Sequence, residues 1–331
     1  KLTSREREHQ YRMPSLMSSP RRTFIWALSC ALGVMVQSSF ASELRVVASF
    51  SILADMVSEI GGEAIEVESI VGPDADAHIY QPSVADAIAV ARANVVFVNG
   101  LGFETWSTKL ISESASSAVV VVATEGVRPI DVEGSVDPHA WNSLKNGTVY
   151  VRNIAAALSA IAPWSADQVN ANAAAYIQRL ESVDLNITRR VSRLPESNRI
   201  VVTSHDAFGY LAKDYGLTFL APQGIDTDAE PTARNLAELI EQLKNVGAAA
   251  LFAENITSPA LINQIARETG LEVGGRLYSD ALSARGGPAK SYLEMFTHNT
   301  DSILEALERS SQRGVATEQE IVRQPQLTMM E

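Results

Sequence analysis

Five histidines occur in the 331 residues, and three of them sit where an imidazole could meet a metal ion. His78 lies in Asp76-Ala77-His78-Ile79-Tyr80-Gln81-Pro82-Ser83, and His139 in Asp137-Pro138-His139-Ala140-Trp141. His205 lies in Thr203-Ser204-His205-Asp206-Ala207-Phe208, and an aspartate, Asp280, follows Leu277-Tyr278-Ser279. Imidazole nitrogen and carboxylate oxygen are good ligands for Zn²⁺, which favours tetrahedral four-coordination. Four protein ligands would fill that shell, as storage or transport requires, whereas a hydrolytic site keeps a position for water. Ligation needs neutral imidazoles, so affinity should fall below about pH 6. Taken singly, each histidine is more often a hydrogen-bonded loop residue than a ligand. No short-range pattern such as His-Glu-x-x-His ties the set together, and composition alone leaves it open. His9 falls in an N-terminal segment set apart below, and His298 lies in a terminal helical pattern that predicts a surface position.

The elements around these residues alternate. Strands are predicted at Arg45–Ser49, Ile65–Val71, Val95–Val98 and Val119–Ala123, with helices at Ile52–Ile60, Ser83–Ala93 and Trp106–Ser114. Continuous Val/Ile runs between helices mark parallel strands buried on both faces, and the βαβαβαβ order predicts a doubly wound α/β domain. The second half repeats the plan. Its strands are predicted at Arg199–Thr203, Leu217–Ala221, Ala249–Ala253 and Val273–Tyr278, and its helices at Ala207–Asp214, Thr232–Val246, Pro259–Thr269 and Ser291–Leu307. At least three of the four candidate ligands then fall at carboxyl ends of strands, where open α/β sheets gather their ligands.

The halves read as a degenerate internal repeat. Arg45–Ser49 aligns with Arg199–Thr203, and Asp74-Ala75-Asp76-Ala77-His78 aligns with Asp226-Thr227-Asp228-Ala229-Glu230. Glu230 thus takes the place of His78 in the second copy. It reads either as an acceptor orienting a histidine or as a carboxylate at a helix start. Between the halves, Ser165–Arg193 has no Gly or Pro and predicts one helix of about 43 Å, a strut between two lobes. The expected organisation is a lobe over 42–164, a linking helix over 165–194, a second lobe over 195–308 and a disordered tail over 309–331.

Residues 1–41 read as an export signal. Arg21 and Arg22 precede a 13-residue apolar run, Phe24–Val36, too short for the ~20 residues of a membrane span, and Ser39-Phe40-Ala41 suits cleavage. The twin arginines leave the export route open, and Met13 or Met17 could be the initiator. Periplasmic localisation follows, with cleavage near Ala41. The single cysteine, Cys30, lies inside this segment after Ala27-Leu28-Ser29, which fits a lipidation site poorly. Downstream of it no disulfide, thiolate metal site or cysteine nucleophile is available. Without residues 1–41 the chain keeps 21 basic and 37 acidic residues, a formal charge of −16. Such a surface argues against nucleic acid and anionic lipid as partners.

From Leu44 to Leu307 the sequence resembles the metal-specific solute-binding proteins of ABC importers, the zinc and manganese group called cluster A-I. The resemblance rests on Asp76-x-His78-x-Tyr80-x-Pro82-Ser83, Asp137-Pro138-His139-x-Trp141, Thr203-Ser204-His205-x-Ala207-Phe208 and Tyr278-Ser279-Asp280. It implies two α/β lobes, a single linking helix and one metal between the lobes, held at positions matched here by His78, His139, His205 and Asp280. It also implies delivery to a membrane permease with its ATPase, no enzymatic activity and a monomer. The third ligand is commonly His in zinc binders and Glu in manganese binders, so His205 favours zinc over manganese or iron. A hard Mn²⁺ ion prefers more oxygen than this set offers.

Two departures stand out. Thr124–Val136 is short and lacks histidine, where many zinc-specific members carry a His-rich loop, so a periplasmic metallochaperone is expected to supply the metal. Trp141-Asn142-Ser143 replaces the more usual Trp-Leu-Asp/Ser-Pro, so the loop after His139 is expected to differ in shape. Other classes make different demands. A zinc hydrolase needs an open coordination position and a base, for which Asp206 is the nearest candidate. An adhesion protein needs surface retention.

Overall fold

The computed structural model describes residues 44–132, 134–245 and 250–327. The export segment read at residues 1–41 lies outside them. The first lobe contains β1 (Leu44–Phe50), α1 (Ser51–Gly61), β2 (Ile65–Val71), α2 (Val84–Arg92), β3 (Val95–Val98), α3 (Ser107–Glu113) and β4 (Val119–Val122). A small hairpin, β5 (Asp131–Val132) and β6 (Ser135–Val136), and two helices, α4 (Leu144–Ile161) and α5 (Ala166–Val191), follow. The second lobe contains β7 (Ile200–Val202), α6 (Gly209–Tyr215), β8 (Thr218–Leu220), α7 (Ala233–Asn245), β9 (Ala250–Glu254), α8 (Ala260–Thr269), β10 (Val273–Leu277) and α9 (Tyr292–Leu327).

Each lobe has a four-stranded, all-parallel sheet, ordered β2-β1-β3-β4 in the first and β10-β9-β7-β8 in the second. Matching β7 to β1, β8 to β2, β9 to β3 and β10 to β4 makes the two orders identical, as the internal repeat predicts. The first strand of each lobe is interior and flanked on both sides. Its side chains are accordingly apolar: Val46, Val47, Ala48 and Phe50 in β1, Val201 and Val202 in β7. This is the doubly wound α/β fold expected from the alternating runs.

The linking helix is α5. Its buried residues, Val169, Ala173, Tyr176, Leu180, Ile187 and Val191, recur at three-, four- and seven-residue steps and form one apolar stripe. Its first half bonds to the first lobe, where Asn172 Nδ2 donates to Ile60 O at 3.0 Å and Arg179 meets Glu59 at 2.7 Å. Its second half bonds to the second lobe, through Arg190 with Asp301 and through Tyr215 Oη donating to Asp184 at 2.6 Å.

The lobes also share apolar contacts directly. One continuous core runs from Phe50, Phe103 and Trp141 to Leu277, Leu282 and Tyr292, and a smaller one sits under α7 and α8 around Val202, Leu243 and Ile265. Burying each such large side chain contributes about 1.5–3 kcal/mol.

Two elements differ from expectation. Nothing in the sequence reading places a helix at Leu144–Ile161, because Gly147, Thr148, Val149 and Val151 weaken helical preference there. Ser143 starts that helix by accepting the Asn146 N–H at 3.1 Å. Gly147 has a packing reason: a Cβ there would lie 2.7 Å from Tyr292 Oη. The final helix also continues past residue 309, to Leu327, over the segment read as a tail.

Candidate metal centre

His78 stands on the loop from β2 to α2. Its backbone N–H donates to Asp76 Oδ1 at 2.9 Å, and Trp106 Nε1 donates to Ala77 O at 2.8 Å, which fixes the turn before it. The far end of the loop is locked by a capping box in which Ser83 and Asp86 exchange bonds. His139 follows the β5–β6 hairpin, His205 follows β7, and Asp280 follows β10. Trp141 Nε1 donates to Ser279 O at 2.7 Å, so the loop after His139 is bonded to the residue before Asp280. Asn142 sits in the altered stretch after His139. Its Nδ2 donates to Ala207 O at 3.0 Å, which ties that loop to the one carrying His205.

These loops bring His78, His139, His205 and Asp280 together, with one ligand atom from each lying within 4.8 Å of all the others. His78 Nε2 and His205 Nε2 each lie 3.2 Å from Asp280 Oδ2, and His78 Nε2 lies 3.2 Å from His139 Nε2. A tetrahedron with metal–ligand bonds of ~2.0 Å has edges of about 3.3 Å, so these separations suit a single central ion. His139, His205 and Asp280 are fully buried. Both Asp280 oxygens and His205 Nε2 lack a hydrogen bond among the described residues. Buried polar atoms left without a partner cost roughly 1–3 kcal/mol each, and a shared cation would satisfy them together.

Each histidine presents Nε2 to the centre and Nδ1 to a carboxylate. Asp137 Oδ1 lies 2.8 Å from His139 Nδ1 and Glu254 Oε2 lies 2.6 Å from His205 Nδ1, while Asp226 Oδ1 lies 3.3 Å from His78 Nδ1. Such partners fix the tautomer and raise ligand basicity. Glu230, the sequence candidate for this role, is exposed and contacts none of the three histidines. The repeat does place the right loop beside His78, but Asp226 at its start makes the contact. A signal for Glu254 was available: it ends the apolar strand Ala250–Ala253, at the strand edge where the ligands gather. Asp206 neighbours His205, but its backbone N–H is spent on Gly224 O at 3.1 Å, and burial raises its carboxyl above the usual range. His298 lies apart from the cluster, its Nε2 3.1 Å from Arg276 O.

Electrostatics couple the four groups. Burial alone would lower the His205 imidazole, but the Glu254 and Asp280 carboxylates outweigh it and hold it well above its ordinary value. Burial alone would raise Asp280, but His205 and His139 outweigh that and keep it well below the carboxylate range. The imidazoles and carboxylates thus stabilise one another's charge.

Comparison with known proteins gives the same class. The family described as the periplasmic zinc-uptake complex component A matches residues 46–306. The chain belongs to the zinc-uptake component A family. Within its wider circle, the iron-binding protein YfeA of Yersinia pestis is 33% identical over 280 residues, 83% of this chain and 90% of that one. The manganese ABC transporter substrate-binding lipoprotein PsaA of Streptococcus pneumoniae is 31% identical over 293 residues, 85% and 94% of the two chains. Among solved structures, the periplasmic zinc-binding protein TroA from Treponema pallidum aligns with a TM-score of 0.77 at 28% identity, covering 80% of this chain and 99% of that one. The family is described as a component of a zinc-uptake complex, and the relatives' names are those of metal-binding proteins whose metals span iron, manganese and zinc.

Proposed function

We propose that this protein captures one Zn²⁺ with His78, His139, His205 and Asp280 and passes it to the permease of an ABC importer in the inner membrane, whose ATPase drives uptake. The observation that carries the reading is the buried set of three imidazoles and one carboxylate, with ligand separations near a tetrahedral edge. Four protein ligands complete a zinc shell and leave no position for a water nucleophile, which supports carriage over hydrolysis. The working location is the periplasm, reached through the signal read at residues 1–41; the streptococcal relatives are named lipoproteins, so lipid anchorage is the alternative for membrane retention. A monomer loaded by a periplasmic metallochaperone fits the short, histidine-free Thr124–Val136 segment.

Manganese or iron is the second reading, favoured by the names of the relatives and by the carboxylate of Asp280, whose two oxygens could both bind a larger ion. Metal analysis of purified protein, followed by competitive titration of Zn²⁺ against Mn²⁺ and Fe²⁺, separates the two. One equivalent of zinc that a large excess of manganese fails to displace supports the zinc reading. Manganese retained against equimolar zinc overturns it.

A further inference from the structure

The three carboxylates behind the histidines are not equivalent. Asp137 and Glu254 are buried, at 1% and 0% side-chain exposure, and each belongs to the lobe of the histidine it holds. Asp226 is 62% exposed, stands 3.3 Å from His78 Nδ1 and reaches it from the opposite lobe. His78 is thus the ligand whose ring is oriented from across the cleft, and at the longest of the three distances.

The β8–α7 loop that carries Asp226 is anchored to its own lobe. Gln223 pairs with His205 in a parallel bridge, and its Nε2 donates to Thr227 O at 3.0 Å and Ala229 O at 2.9 Å. Gly224 O accepts the Asp206 N–H at 3.1 Å. Across the cleft the loop makes two polar contacts among the described residues, both to the His78 turn. One is Asp226 with His78. The other is Thr227 Oγ1 donating to Asp76 Oδ2 at 2.6 Å, and Asp76 Oδ1 in turn accepts the His78 N–H. A cavity lined by Asp76, Ser204, Gln223, Thr227 and Thr257 opens beside the loop. Elsewhere the lobes meet through the shared apolar core and through many further hydrogen bonds, among them Trp141–Ser279, Asn142–Ala207, Tyr292–Asp55 and those of Asp74 with Leu282, Ala284 and Asn255. Parting them there would expose core, whereas moving an exposed loop breaks two polar contacts.

We infer that the β8–α7 loop is the gate of the metal centre, and that Asp226 is the positioning residue that sets His78 when the gate is shut. The ion enters and leaves past His78 while His139, His205 and Asp280 stay in place. With the loop displaced, the His78 ring loses the partner that selects its Nδ1–H tautomer, and its Nε2 no longer faces the ion. The inference rests on the four-ligand reading above.

The test is stopped-flow release of Zn²⁺ from the loaded chain into excess chelator, with ¹⁵N spectra of the His78 ring. D226A should release zinc about ten-fold faster or more, the usual cost of losing such a partner, and should show mixed His78 tautomers. T227V, which breaks the other contact, should also speed release. E230Q removes an exposed carboxylate of the same loop that touches no ligand, and it should match wild type. Wild-type release rates in both D226A and T227V would overturn the gate, as would E230Q behaving like D226A. Failure of the wild-type chain to bind any metal would instead overturn the four-ligand reading.

Discussion

Glu254 holds His205 from two sides. Its Oε2 lies 2.6 Å from the imidazole Nδ1, and its Oε1 accepts the backbone N–H groups of Ser204 at 2.7 Å and of His205 at 2.9 Å. One carboxylate at the end of β9 therefore sets both the turn that presents the histidine and the nitrogen it offers. Replacing Glu254 with Gln should weaken zinc binding roughly 10- to 100-fold, because the amide cannot stabilise the ligated ring as a carboxylate does. Chelator competition on the purified variant measures this, and an unchanged affinity would leave Glu254 a structural role only.

His205 itself separates metals. His205→Ala should reduce zinc affinity by more than any of the orienting variants, since it opens the shell. His205→Glu should move preference towards manganese by exchanging nitrogen for hard oxygen. Equal zinc affinity in wild type and both variants would remove His205 from the centre.

Proton competition should begin at a higher pH than an ordinary imidazole predicts. Burial alone would lower His205, but Glu254 and Asp280 hold it well above its usual value in the metal-free protein, so protons should compete with zinc for this ring more strongly than for an ordinary imidazole. Affinity should then fall steadily as pH drops through neutrality, rather than only below about pH 6. Titrations from pH 5.5 to 8, with proton release followed calorimetrically in buffers of different ionisation enthalpy, check this. A flat affinity from pH 6.5 to 8 would contradict it.

Asp55 should make stability depend on pH. Its Oδ2 accepts the Tyr292 N–H at 2.8 Å, a contact between the first helix of one lobe and the last helix of the other. Burial, helped by Glu59 and Glu294 and opposed by that N–H, pushes its carboxyl up to about 7. A carboxyl raised above its unfolded value of about 4 costs stability as pH climbs from there to about 7, and the loss is constant above. Asp55→Asn should therefore be more stable than wild type at pH 8, on the order of 1–2 kcal/mol after solvent screening, and close to it at pH 5. Urea denaturation at both pH values decides it.

Gly147→Ala should destabilise the fold by ~1–3 kcal/mol through overpacking, since the new methyl meets the Tyr292 ring. Tyr292 Oη donates to Trp141 O at 2.6 Å, so the variant should also loosen the stretch after His139 and lower zinc affinity. Denaturation midpoints and metal titration read the two effects separately.

Local patterns determined much of this protein. The Val/Ile runs specify parallel strands, and the repeat in sequence is a repeat in sheet order, but burial on both faces holds for the interior β1 and β3 and not for β4, whose Val119, Val120 and Val122 are exposed at the sheet's edge. His78, His205 and Asp280 were legible as strand-end residues, and His139 from its Asp-Pro-His loop. What the chain could not show locally is which distant group serves which ligand. Asp226 reaches His78 across 148 positions and Glu254 reaches His205 across 49; the second pairing exists only once the second sheet is formed, and the first only once the lobes meet. The same holds for the helix at Leu144–Ile161, whose glycine is explained by a tyrosine 145 residues later. Strand and helix preferences act over a few residues. Which carboxylate meets which ligand is decided by packing, and here packing brought Asp226, not Glu230, to His78.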